Sequence, residues 1–234
     1  MVPASVHRAL RLLLCGALAI AGAGGTVAAA NCPKTSMPAA LLERFTPADC
    51  EACWQSATPQ DPPASQARRV MVLDWIVPAA DTAPMAAAAL PEASERAGRL
   101  AANQTLSRQT PLARNGALRL RIADGPAWNG YIGLQLTVRR VGKLPADAVA
   151  YAALVERVPA GSEGTPVARQ LVRTLVGPLS LQELAAQATI HHFRAVRVPE
   201  GSRGDRLGSV AWVADANGKP IAATQSPSGE CTAR

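Results

Sequence analysis

The chain has 234 residues, a formal net charge of +7, 48% hydrophobic residues and 3% aromatic residues. That length suffices for one or two modest cores. The basic residues are scattered, with short pairs such as Arg68-Arg69 and Arg139-Arg140, and so few rings build stacking platforms poorly, which argues against a nucleic-acid partner.

The first thirty residues, MVPASVHRALRLLLCGALAIAGAGGTVAAA, have a basic start, an apolar run and a small-residue end at Ala28-Ala29-Ala30. This is the layout of a cleavable secretory signal peptide. The apolar run is shorter than the ~20 residues a membrane span needs. Cleavage near Ala30 predicts a periplasmic or secreted chain of charge +5, because the segment removed holds two arginines and no acid. Four cysteines then remain: Cys32, Cys50, Cys53 and Cys231. In an oxidising compartment the economical pairing is Cys50 with Cys53 locally and Cys32 with Cys231 between the ends.

PAALLERF, Pro38–Phe45, reads as a short buried strand entering the stretch FTPADCEACW. The following segment to Arg69 is helix-compatible but interrupted by Pro59, Pro62 and Pro63, so it supports only a short or kinked helix. Val70–Val77 is an apolar run of strand length. From Thr82 to about Ser107 the composition favours helix, with Pro91 as a first-turn residue. After QTPLARNG the texture turns to alternation: ALRLRIAD, YIGLQLTVRR, DAVAYAALVERV, PVARQLVRTLVG, HHFRAVRV and GSVAWVAD. PIAATQ follows Asn217-Gly218, a tight-turn pair. The fold class expected is therefore α/β plus all-β: a strand–helix–strand–helix unit over residues 31–116, which the Cys50–Cys53 motif likens to a reduced thioredoxin-like domain, then an antiparallel β-sandwich-like domain over 117–234.

The chemistry centres on Cys50 and Cys53. A cysteine at a helix N-terminus faces free N–H groups that stabilise its thiolate, and a second cysteine one turn on resolves a mixed disulfide. The order strand, Cys-x-x-Cys, helix, strand is the thioredoxin arrangement. LLERFTPADCEAC resembles the opening motif of a family of secreted bacterial proteins of unknown function with a thioredoxin-like fold. Glu43, Phe45, Thr46, Cys50 and Cys53 fit its pattern, and LDWIV, QTPLARNG, ERVPAGSEGTPVARQLVRTLVGPL and VAWVADANGKPIAATQ are similar to later segments of it. The resemblance implies that Pro111 is a cis-proline facing the cysteine pair and shaping a substrate groove; a trans turn proline is the alternative. Against a strongly oxidising couple, Asp49 and Glu51 flank Cys50 and disfavour its thiolate. An active couple is then expected nearer about −270 mV than about −120 mV.

Other readings of these residues stay subordinate. Zinc needs two ligands beyond a Cys-x-x-Cys, and the candidates are Cys32, Cys231 and His191-His192, which point to opposite faces if they lie in a strand. Arg203-Gly204-Asp205 is an adhesion-type tripeptide that Gly-rich turns also produce by chance. Asn103-Gln104-Thr105 fits a glycosylation acceptor. Two functions remain open. One is an exported thiol–disulfide oxidoreductase acting on protein thiols or disulfides, with Cys50 attacking, Cys53 resolving and Pro111 shaping the groove. The other is a non-catalytic exported binding or structural module with a structural Cys50–Cys53 disulfide. Neither calls for a cofactor or metal.

Overall fold

The computed structural model describes residues 37–57, 69–98, 100, 104–112 and 116–227. The expected signal peptide, the Cys32–Cys231 pairing and the Asn103 acceptor lie outside the described residues. Among the described residues ten strands form two sheets. The larger sheet takes β1 (Ala40–Pro47), β2 (Val70–Val77), β3 (Leu106–Pro111), β6 (Val149–Val158), β7 (Arg169–Ser180), β9 (Leu207–Ala214) and β10 (Pro220–Gln225), in the order β10-β9-β6-β7-β2-β1-β3. The smaller sheet is β4 (Leu118–Asp124), β5 (Tyr131–Arg140) and β8 (Thr189–Arg197), in the order β4-β5-β8.

The expectation of a thioredoxin-like α/β domain followed by a separate β domain is overturned, because the fold is mainly β. Among the described residues only two α-helices occur, α1 (Glu51–Trp54) and α2 (Pro91–Ala97). Pro84 and Pro91 explain most of the difference. Neither donates a backbone N–H, so no helix runs through them, and the alanines between form only a 3-10 turn at Ala86–Ala88. Pro91 does open α2, and Gly98 at φ 73° ends it in a conformation that glycine adopts without strain. The segment expected to stay helical to Ser107 instead enters β3 at Leu106, an edge strand antiparallel to β1.

No sheet boundary falls at residue 116. β1 and β2 run parallel, and β2 meets β7 in parallel at Asp74↔Leu171. Side chains extend this short seam: Gln170 donates from its backbone N–H to Asp74 Oδ2 at 2.7 Å and from Nε2 to the Val72 carbonyl at 3.0 Å. Beyond β7 the pairing is antiparallel through β6, β9 and β10.

One face of the large sheet buries Phe45, Leu73, Trp75, Val155, Val172 and Trp212 beneath Ala93 and Ala97 of α2. Its other face has two covers. At the β6/β9 end, Leu154, Ala211 and Val213 meet Leu118, Ile122, Leu134, Leu136, Val138, Ile190 and Val196 from the inner side of the small sheet. At the β1/β2 end, Ile76 and Leu171 pack under Trp54 and Ala48. The strand period of two sends the alternate residues of β5 (Tyr131, Gln135 and Arg139) to the outer side, where they are exposed. No helix among the described residues is long and apolar enough to cross a membrane.

Candidate functional site

The Cys-x-x-Cys stretch forms the corner where β1 leaves the sheet. The Cys50 N–H donates to the Pro47 carbonyl at 3.1 Å, and the N–H groups of Cys53 and Trp54 return to the Cys50 carbonyl at 3.0 and 3.3 Å. Cys50 and Cys53 are disulfide-bonded, with their Cα atoms 5.2 Å apart. Cys50 is buried and Cys53 half-buried. Cys50 holds the N-terminal cap position of α1, and no side chain bonds there. A helix of four residues aligns few peptide dipoles, so its N-terminus contributes little to a thiolate.

What fixes the corner is a buried charge network that sequence reading did not single out. Arg44 on β1 grips Asp74 on β2 through two hydrogen bonds, at 2.7 and 2.8 Å. Arg169, at the start of β7, reaches the same carboxylate at 3.3 Å. The Arg169 guanidinium also donates to the carbonyls of Trp54 at 3.0 Å and Ser56 at 2.8 Å, the groups a helix end leaves without partners. Its Cζ sits 5.0 Å from the centre of the Trp54 ring, within cation–π range. Trp54 Nε1 donates to the Glu163 carbonyl at 2.9 Å. The disulfide turn is thereby tied to β1, β2, β7 and the 159–168 loop. A cleft of about 630 Å³ lies alongside, lined by Arg44, Arg157, Val158, Pro166 and Arg169 among others. The signal in the sequence was charge within two apolar strands, Glu43 and Arg44 in β1 and Asp74 in β2; buried charges require partners.

Pro111 is elsewhere. It pairs with Ala40 at the start of β1, whereas the cysteines follow Pro47 at its end. Seven strand steps at ~3.3 Å each separate the two ends, about 23 Å. The cis peptide bond described is Gly177–Pro178. The structure therefore brings Cys50 and Cys53 together and does not bring Pro111 to them.

His191 and His192 point to opposite sides of β8. His191 Nδ1 lies 3.1 Å from the Thr137 hydroxyl on the outer face. Burial, and then the Arg194 charge, hold the pKa of His192 below its ordinary value, and its Nε2 is buried without a hydrogen-bond partner. Arg203 and Asp205 are exposed around a 3-10 turn at Gly204–Arg206. Glu156 and Glu163 serve different arginines, Arg173 and Arg206.

On the opposite face of the large sheet, Arg96 of α2 pairs with Glu43 at 2.7 Å. Its guanidinium lies 5.0–5.7 Å from the ring centres of Trp75, Tyr151 and Trp212. This locks α2 onto the sheet. The arrangement defines a β-rich chain with a disulfide-closed, charge-anchored corner.

No family model and no curated protein matches the chain. Among solved structures it is similar to HBP35 of Porphyromonas gingivalis, at a TM-score of 0.53 and 11% identity, over 82% of this chain and 75% of that one. A DUF3823 family protein from Bacteroides ovatus aligns at a TM-score of 0.28 and 15% identity, over 54% of this chain and 64% of that one. At these identities the first likeness concerns the fold alone, and the second carries no argument.

Proposed function

We propose that the chain is an exported, non-catalytic binding protein whose Cys50–Cys53 disulfide is structural. The observation that carries this reading is the Arg169 clamp. One buried guanidinium holds the carbonyls of Trp54 and Ser56, just after the cysteine pair, while it shares Asp74 with Arg44. A turn held from four directions is suited to fixing a corner of the fold. A thiol couple instead alternates between oxidised and reduced states and presents its attacking sulfur to bulky protein substrates. The burial of Cys50, the single-turn helix and the distance to Pro111 support the same side. Export rests on the signal-like first thirty residues.

Insulin reduction by dithiothreitol tests the reading. The expected result is precipitation no faster than without the protein, for both the wild type and Cys50→Ser. Catalysed precipitation that Cys50→Ser abolishes would restore the oxidoreductase alternative. N-terminal sequencing of the exported protein, expected to begin near Asn31, tests the localisation.

A further inference from the structure

The outer side of the small sheet combines three properties that a merely solvated surface does not need. The first is where the rings are. The chain has two phenylalanines, two tyrosines and four tryptophans. Phe45, Trp54, Trp75 and Trp212 are buried and Tyr151 stacks on Trp212. The three left, Trp128, Tyr131 and Phe193, are 77%, 51% and 64% exposed. Phe193 and Tyr131 are outward residues of β8 and β5, and Trp128 bridges to Tyr131 at the entry to β5. A Cβ at Gly133 would stand 2.9 Å from the Phe193 ring. The ring therefore lies across β5 where that strand has no side chain, leaving much of its surface to solvent.

Charge is the second property. The outward positions are Arg119, Arg121 and Ala123 on β4, then Tyr131, Gly133, Gln135, Thr137 and Arg139 on β5, and Thr189, His191, Phe193, Ala195 and Arg197 on β8. Four are arginine and none is acidic. Among the described residues these arginines have no carboxylate partner; Arg119 contacts the Met37 sulfur at 3.7 Å.

Third, Arg119 and Arg139 stand directly opposite each other across the β4/β5 pairing. Like charges in that position destabilise a sheet. A bound anion between them removes the penalty.

We propose that this face docks an acidic polysaccharide, its sugar rings lying on Phe193 and Tyr131 and its carboxylates meeting Arg119, Arg121, Arg139 and Arg197. The proposal rests on the binding-protein reading and names its ligand class. Guanidinium forks match carboxylates in two-point geometry, and flat amphipathic rings give contact area at little entropic cost. A second copy of the chain would set arginine against arginine, so charge excludes it. The export expected of the N-terminal segment favours an envelope glycan over nucleic acid.

The test is calorimetric titration of the exported protein with polygalacturonate, using neutral dextran and a single-stranded oligonucleotide as comparisons. Polygalacturonate is expected to bind and to weaken at least tenfold between about 50 and about 300 mM salt, since exposed charges are screened. Phe193→Ala and Arg121→Gln are each expected to weaken it about tenfold. Gly133→Ala, which displaces the ring, should weaken it several-fold at an unchanged urea midpoint. The proposal is overturned if polygalacturonate does not bind, if dextran binds equally well, if the oligonucleotide binds more tightly, or if Phe193→Ala has no effect. Such a result leaves the structural role of the disulfide standing, because insulin reduction decides that separately.

Discussion

Replacing Asp74 by alanine removes the carboxylate on which Arg44 and Arg169 converge. Their side chains are 3% and 1% exposed, and that of Asp74 is 3% exposed, so water cannot solvate the guanidinium groups without opening the sheet. Removing one partner of a buried ion pair costs about 3–5 kcal/mol. The Gln170 N–H also loses its acceptor at the β2–β7 seam, worth about 1 kcal/mol more. We expect a total near 5 kcal/mol, or a Tm lower by about 10–20 °C for a domain of this size. Urea unfolding followed by tryptophan fluorescence measures it directly. Glu163→Gln is the comparison, because the Glu163 side chain is 46% exposed where it meets Arg206 and exposed pairs contribute about 0–1 kcal/mol. An Asp74→Ala loss no larger than that of Glu163→Gln would refute the claim that this network anchors the corner.

Three further outcomes are expected. Opening the Cys50–Cys53 bond, by reduction or by Cys50→Ser, frees a loop of sequence separation 3 and costs about 2 kcal/mol in the chain-entropy model; an unchanged urea midpoint with and without reductant contradicts a structural role. The His192 pKa is lowered in the folded state, by burial first and then by Arg194. Its neutral form thus favours folding above the unfolded value of about 6.5, and that contribution is lost as pH falls through the folded pKa. His192→Asn should flatten the pH dependence of stability below about pH 6.5, and an unaltered slope removes His192 as its source. Gly177 has φ 139°, and a Cβ there would stand 2.6 Å from the Tyr151 ring and 3.0 Å from the Ala150 carbonyl. Gly177→Ala should therefore cost about 1–3 kcal/mol in the same urea assay, whereas wild-type stability would mean that β7 readily shifts where its pairing with β6 is irregular.

Strands with a strong local pattern were legible in the sequence. Val70–Val77 coincides with β2, and the alternating segments after residue 117 became β4 to β10, because a half-buried strand writes its two faces into successive residues. The hairpin at Asn217-Gly218 formed as read, with Gly218 at φ 75°. β3 was missed because LSRQTP is an exposed edge with one buried residue, Thr110, and so carries no apolar period. The helix over 82–107 was overread from alanine content, with Pro84 given too little weight. The β2–β7 seam had no local signature, since parallel pairing is set by where distant strands arrive. At the candidate site the Cys50–Cys53 bond was legible from spacing. Its anchor was not, because Arg169 reaches Asp74 from 95 positions away in the chain.

The β2–β7 seam also sets an order of events. Until Arg169 and Gln170 emerge, the outer edge of β2 has no partner, and Asp74 has met only Arg44 from its own side of the chain. A growing chain therefore carries an apolar, unpaired strand edge through the synthesis of nearly a hundred residues, the condition in which nascent polypeptides adhere to one another.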